Sequence, residues 1–370
     1  MKKYQICTNC VMDTSDPDIV FDDNGVCSNC REFNKRTKPY LNRRNKEQEL
    51  REIVRKIKRN GKNKKYDCIL GISGGIDSAY LAYLAHSLQL RVLAVHVDAG
   101  WNSEIAVNNI EKMCKKLGYD LHTIVIDWPT MKELQRAFMF SGVSNLDIPQ
   151  DHVFIAATYH LARKYKIRYI LSGGNLATEG IFPHGWEHSA LDYTFIKDVY
   201  RKNKRNNMSL KRYPHINTVD YIVYTYLGLF KFVRLLDYID YSKAEAIATL
   251  EKEFDWQYYG GKHFESRFTK FFQSYYTPRK FNYDKRRAHL SSLIVNGEIS
   301  REDALKEMEN PNAYPEEEMI ADRDYILRKL NISLEEWNNI MDAPCKTTKD
   351  YRNNEKQRER LRKIKHLFMK

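Results

Sequence analysis

Between Tyr66 and Ser78 the chain reads YDCILGISGGIDS. Ser73, Gly74, Gly75, Asp77 and Ser78 follow an apolar run, Cys68 to Ile72, and precede a helical pattern through Leu81, Leu84, Ala85 and Leu88. A buried strand that passes through glycines into a helix start makes an anion site. Glycine lets the backbone approach the ligand closely, and the first helical turn offers N–H groups that lack partners. The chemistry expected here is phosphate binding. The Walker pattern GxxxxGK[ST] is absent. An unliganded strand-to-helix turn is the competing reading, and the Asp-Ser that follows Ser-Gly-Gly weighs against it.

The string SGGxDS resembles the pyrophosphate loop of the PP-loop ATP pyrophosphatases. That resemblance implies splitting ATP into AMP and pyrophosphate, with AMP passed to an oxygen of the substrate. Roles then follow by chemistry. The Gly74 and Gly75 N–H groups and the Ser73 and Ser78 hydroxyls would hold pyrophosphate. Asp77 would place Mg²⁺, since a carboxylate repels phosphate. Three further strand ends carry polar or glycine residues: Asp98, Asp127, and Gly173 to Asn175. Asp98 is expected at the adenosine. Gly173 and Asn175 are expected at the α-phosphate, with Glu179 as a further polar or metal-side group. For Asp98 and Asn175, ordinary turn chemistry is the alternative.

Four of the seven cysteines fall as Cys7-Thr-Asn-Cys10 and Cys27-Ser-Asn-Cys30. Each CxxC turn brings two thiolates to one ion, and two turns complete a tetrahedral zinc site. Four thiolates leave no open coordination position, so the expected role is structural. The intervening segment reads as a hairpin turning at Asn24-Gly25. Two disulfides are the alternative, disfavoured in a cytosolic chain. Cys68 and Cys114 read as core thiols, and Cys345, in a loop after Pro344, is a lone cysteine.

A third set lies at Lys262, His263 and Glu265, next to Gly260-Gly261 and followed by Arg267 and the charged run 284–287. Lys262, His263, Glu265, Arg267 and the run 284–287 are candidates for closing over phosphates or carrying protons. A solvated, salt-bridged helix face stays open as the other reading.

The elements that must position these groups alternate. Strands are expected at 91–97, 121–126 and 168–171, with helices at 103–117, 131–140 and 151–165, a pattern that implies α/β architecture with a doubly wound parallel sheet. Ligands in such sheets bind beyond the carboxyl ends of the strands. The organisation expected is a zinc ribbon at 1–35, a basic amphipathic helix or linker at 36–65, the nucleotide-binding domain at 66–190, and a helical C-terminal region at 191–370 for substrate and partners. Long amphipathic helices are expected there at 219–238 and 243–254.

The net charge is +13 over 370 residues. Fifteen Lys or Arg stand against four Glu between Arg31 and Lys65, and further basic stretches run from 197 to 212 and from 352 to 370. Leu50, Ile53, Val54 and Ile57 recur at helical spacing inside the first cluster. A basic surface suits nucleic acid, or the phosphates of ATP and a nucleotide-linked substrate. No apolar signal region opens the chain, and the most apolar later stretch, 221–239, carries Lys231, Arg234 and Asp237. The expectation is a cytoplasmic protein without membrane contact.

Together, CTNCVMDTSDPDIVFDDNGVCSNC at the start, GISGGIDS, HVDAGW (96–101), SGGNLATEG (172–180) and the block 260–305 resemble the N-acetyl sugar amidotransferases of the WbpG/PseA type, over nearly the whole chain. The resemblance implies conversion of an acetamido to an acetamidino group on a sugar, nucleotide-linked and destined for a surface glycan such as O-antigen or flagellin sugar. It implies ATP, Mg²⁺ and Zn²⁺ as cofactors. No glutaminase signature is present, so it also implies a separate glutaminase and a cyclase-like subunit that deliver ammonia. The rival reading is a tRNA-modifying PP-loop enzyme such as a sulfur transferase, which also pairs zinc knuckles with SGGxDS. No convincing catalytic cysteine supports it, and nucleic acid is read against as a partner.

Overall fold

In the computed structural model, residues 3–186 and 188–368 are described. Five parallel strands form one sheet in the order β3-β2-β1-β4-β5: β1 (Cys68–Gly71), β2 (Val92–Asp98), β3 (Asp120–Val125), β4 (Tyr169–Leu171) and β5 (Lys231–Val233). Register is continuous, with Ile69 opposite Leu93 and Ile170, and Ile170 opposite Phe232. The strand residues alternate between two cores. Ile69, Leu93 and Val95 join one apolar cluster, whereas Cys68, Leu70, Val92 and Ala94 join another. A sheet buried on both faces needs such double-sided apolar runs.

The helices that matter for the site are α1 (Lys46–Gly61), α2 (Ile76–Ser87), α3 (Glu104–Leu117), α4 (Trp128–Met139), α5 (Ile148–Lys164), α6 (Lys243–Phe254) and α7 (Arg286–Asn296). Helix α1 buries Leu50, Val54 and Ile57 and leaves its basic side outward. The Ser103 hydroxyl caps α3, accepting from the Ala106 N–H. Asp127 caps α4 through the Thr130 N–H.

One expectation fails. The stretch 219–238 is not a long helix: a short helix (Thr218–Tyr221) and a π turn (Ile222–Tyr226) lead to β5, which pairs with β4. Its aromatic and apolar residues mimic a helical face, but Phe230 to Val233 is a strand-forming run in a sheet-edge slot. The sheet therefore takes its fifth strand from beyond residue 190.

At the N-terminus a turn at Asp22–Val26 closes with the Gly25 N–H donating to Asp22 and the Asp22 N–H to Val26. Isolated bridges join Ile6 to Asp13 and Phe21 to Cys27. Helix α7 supports this unit: Ser291 Oγ accepts from the Val11 N–H at 3.2 Å, and Arg287 pairs with Asp13 at 3.0 Å. Arg301, just beyond α7, donates to the carbonyls of Cys7 and Cys10. Among the described residues no helix is long and apolar enough to cross a membrane.

Candidate active site

Chain direction at the end of β1 decides the loop. Gly74 adopts φ +81°, and a Cβ there would lie 2.5 Å from the Ala106 carbonyl oxygen at the start of α3. Only glycine fits such a left-handed close approach. The serines hold the loop's shape: the Ser73 N–H donates to Ser78 Oγ at 3.2 Å, the Ser78 hydroxyl to the Gly75 carbonyl at 3.1 Å, and the Gly75 N–H to Ser73 Oγ at 3.2 Å. Helix α2 begins at Ile76, so its first turn faces the space beyond the loop.

Asp77 sits half-buried on that first turn. Its Oδ1 accepts from the Tyr241 hydroxyl at 2.6 Å and from Asn175 Nδ2 at 3.1 Å. Burial raises its carboxyl pKa, with Lys262 pulling the other way. Oδ2 has no hydrogen-bond partner among the described residues, so one oxygen is free for a cation, which fits the magnesium role. Asn175 meanwhile caps the short helix Leu176–Glu179. Gly173 lies against Ser78, its Cβ position 3.2 Å from the Ser78 N–H.

Sequence-distant residues complete the wall. A clip of two backbone bonds, Ser103 N–H to Glu265 and Arg267 N–H to Trp101, fixes 265–267 beside the exit of β2. This brings Glu265 within 3.0 Å of the Cβ position at Gly75. Lys262 pairs with Glu179 at 2.7 Å. Burial favours the neutral form of Glu179, but Lys262 outweighs it and holds the carboxyl below its ordinary range. Burial likewise opposes charge on His263, yet Glu265, 3.8 Å away, outweighs it and raises the imidazole pKa. Tyr259 adds a hydroxyl that accepts from the Ile76 N–H at 3.1 Å.

Two spaces meet at this wall. A cavity of about 260 Å³ lies over the loop, lined by Ser73, Gly75, Asp77, Ser78 and Gly173. A cleft of about 1230 Å³ lies beside it. Thr178, Glu179, Lys243, Lys262, His263, Glu265 and His289 line both. Deeper in the cleft stand Asp147, Asp151 and Lys285. Asp147 immediately precedes α5, and its carboxylate accepts from Gln150 Nε2 and from the Thr269 hydroxyl, the latter at 2.6 Å. Burial pushes Asp147 up to about 7 and Asp151 up to about 6, and pushes Lys285 down to about 8.

The structure thus gathers Ser73, Gly74, Gly75, Asp77, Ser78, Gly173, Asn175, Glu179, Lys262, His263 and Glu265. Asp98 stands apart: its Oδ1 accepts from the Gly100 N–H at 2.7 Å and from Asn102 Nδ2 at 3.3 Å, the turn chemistry that was its alternative. Sequence reasoning missed Tyr241, Lys243, Tyr259, His289, Asp147 and Asp151, whereas Lys285 belongs to the charged run 284–287 that it singled out. His289 lies inside the block 260–305, which was the available signal.

The four N-terminal cysteines are buried and unpaired, with one sulfur from each within 4.8 Å of the others. Cys7 and Cys30 Sγ are 3.9 Å apart, Cys10 and Cys27 Sγ 3.8 Å. Tetrahedral Zn–S bonds of about 2.3 Å require S–S edges of about 3.8 Å. Backbone N–H groups of Asn9, Met12, Cys27 and Cys30 point at the sulfurs, as thiolates need. The residues fit zinc. Cys68 and Cys114 are buried, and burial raises both thiols, Cys114 to about 11; Cys345 is exposed.

A family model described as NAD synthase matches residues 46–168. A second, described as the C-terminal domain of WbpG-like LPS biosynthesis proteins, matches residues 265–365. A curated relative, tRNA(Ile)-lysidine synthase of Chlamydia pneumoniae, is 32% identical over 90 residues, 21% of this chain; the match spans 28% of that protein's length. Similar solved structures include an NH3-dependent NAD synthetase from Campylobacter jejuni (16% identity, 56% of this chain and 83% of that one, TM-score 0.31). An NMN synthetase from Francisella tularensis is also similar (16%, 57% and 93%, TM-score 0.29). The chain thus resembles NAD synthases over residues 46–168 and the C-terminal domain of WbpG-like LPS biosynthesis proteins over residues 265–365.

Proposed function

We propose that this protein is an ATP-dependent N-acetyl sugar amidotransferase acting in surface-glycan biosynthesis. The observation that carries this reading is the shared wall. The loop cavity opens onto a cleft of about 1230 Å³ through residues on or beside the WbpG-like domain. That volume exceeds the ~300–1,000 Å³ typical of small-molecule pockets, so it has room for a nucleotide-linked sugar.

An acetamido carbonyl is a poor electrophile and its oxygen a poor leaving group. Attack of that oxygen on the α-phosphorus of ATP forms a P–O bond and expels pyrophosphate. Ammonia then adds to the activated carbon, loses a proton, and AMP departs with the oxygen, leaving an acetamidino group. The loop N–H groups, Lys243 and Lys262 neutralise the developing phosphate charge. Magnesium held by Asp77 would add charge neutralisation at the phosphates. His263, its pKa raised beside Glu265, donates hydrogen bonds to phosphate oxygens. Cys7, Cys10, Cys27 and Cys30 would hold a zinc ion that ties the knuckles together, and four thiolates would leave it no open coordination position for the reaction.

Ammonia is mostly protonated at neutral pH, so delivery by a separate glutaminase and a cyclase-like channelling subunit belongs to this proposal. So does a cytoplasmic setting. The test is mass spectrometry of a reaction holding the protein, ATP, Mg²⁺, ammonium and a panel of UDP- and CMP-linked N-acetyl sugars. The expected result is AMP and pyrophosphate together with a sugar in which NH replaces one oxygen. Asp77→Ala should abolish AMP formation while leaving zinc content and the melting profile intact; full activity in that variant refutes the loop assignment. A tRNA-modifying reading draws on the 90-residue match to tRNA(Ile)-lysidine synthase. AMP formation that depends on tRNA and not on sugar would put that reading first.

A further inference from the structure

His289 lies on α7, in the wall between the loop cavity and the cleft. Its Nδ1 is 3.3 Å from the carbonyl oxygen of Thr178. A carbonyl only accepts, so in that contact Nδ1 carries the hydrogen. A neutral imidazole protonated at Nδ1 has a bare lone pair at Nε2. That nitrogen is sheltered from solvent and has no hydrogen-bond partner among the described residues. A sheltered acceptor of this kind costs stability unless a ligand or reaction uses it. Burial opposes the imidazolium form, the Lys262, Lys243 and His263 charges add to that, and the Thr178 carbonyl pulls the other way without outweighing them. The ring is therefore an unprotonated base in the wall shared by the loop cavity and the cleft.

We infer that His289 Nε2 is the base that takes the proton from ammonia after it has added to the activated carbon. This rests on the amidotransferase reading. The neighbouring groups suit other tasks: Lys262 is engaged by Glu179, and His263 is biased toward its charged form by Glu265. In the step, the ammonia nitrogen forms a C–N bond and becomes a cation. One N–H proton passes to Nε2. The freed lone pair then forms the C=N bond as the C–O bond to AMP breaks. The product leaves as an amidinium, and the proton on Nε2 departs with pyrophosphate, so charge and hydrogen balance.

Two measurements on the full-length protein test this. Nitrogen-15 NMR of histidine-labelled protein at neutral pH should show His289 neutral with its hydrogen on Nδ1, the minor tautomer of free histidine; His289→Asn identifies the signal. An imidazolium, or a hydrogen on Nε2, overturns the inference. His289→Asn keeps an amide donor for the Thr178 carbonyl, so its melting profile should match the wild type. Its ammonia-dependent amidine formation should fall about 100-fold or more, with sugar-dependent ATP–pyrophosphate exchange reduced no more than about threefold. Unchanged turnover overturns the assignment, as does an equal loss in both assays, which marks a structural role. If the wild type shows no sugar-dependent exchange, the amidotransferase reading fails first and takes this assignment with it.

Discussion

Replacing Gly74 by alanine tests whether the phosphate loop is built as described. Two costs are separable. Alanine in a left-handed conformation costs about 1–2 kcal/mol. The added methyl also meets backbone: its position is 2.5 Å from the Ala106 oxygen and 2.9 Å from the Ala106 Cα. No rotamer change relieves a contact with backbone, and such overpacking costs about 1–3 kcal/mol. Loss of glycine's flexibility in the unfolded chain offsets about 0.4–1 kcal/mol. The net expectation is a destabilisation of about 1–4.5 kcal/mol, centred near 3 kcal/mol. Gly297 supplies the control, with φ +83° and nothing within 4 Å of its Cβ position. Gly297→Ala should cost only the conformational part, about 1 kcal/mol. Gly71 has neither feature, and Gly71→Ala should fall within about 0.5 kcal/mol of wild type. Urea denaturation of the three variants gives the comparison, and ATP affinity should weaken most for Gly74→Ala. The reasoning is refuted if Gly74→Ala is no more destabilising than Gly297→Ala, for then α3 does not press on the loop.

Two further predictions concern the cleft and the knuckles. Asp151 has a folded pKa of about 6, above the ordinary aspartate. Between about pH 4 and 6 the folded state therefore binds more protons than the unfolded one, and the contribution of Asp151 to stability falls as pH rises. Asp151→Asn removes that loss, so its stability relative to wild type should climb across this window in urea titrations; an advantage that shrinks with rising pH refutes the burial argument. Arg301→Ala deletes three hydrogen bonds to the Cys7 and Cys10 carbonyls, so a chelator should strip zinc about tenfold faster, the effect of one charged hydrogen bond. Release at the wild-type rate would show that Arg301 does not brace the knuckles.

Much of this architecture is legible in the sequence because its signals are local. Strands β1, β2 and β4 are short buried apolar runs, and Ser103 and Asp127 cap helices by their own side chains. The knuckles are legible because CxxC spacing encodes ligand geometry. Strand β5 is hidden because three residues carry no period of their own, and pairing with β4, some sixty positions earlier, makes them a strand. The same applies to the site. Ser73 to Ser78 announce themselves, whereas Tyr241 and Lys243 look like any residues at a helix start. His289 is one of eleven histidines, and only the Thr178 carbonyl and the missing partner at Nε2 distinguish it. Asp98 shows the converse: a carboxylate in the expected place that serves its own turn.

The bond from Ser291 to Val11 spans 280 positions, and that from Arg301 to Cys7 spans 294. In a growing polypeptide the knuckles leave the ribosome long before their bracing helix exists. At about 5–20 residues per second, the delay is on the order of 15–60 s. Four reduced thiols must survive that interval without the surface that later encloses them. Metal capture by the nascent knuckles would shield them from oxidation and give α7 a finished platform on which to dock. Zinc supply during synthesis, rather than afterwards, would then govern the yield of folded protein. A chain made in zinc-poor cells should be harder to rescue by later addition of the metal than one stripped after folding.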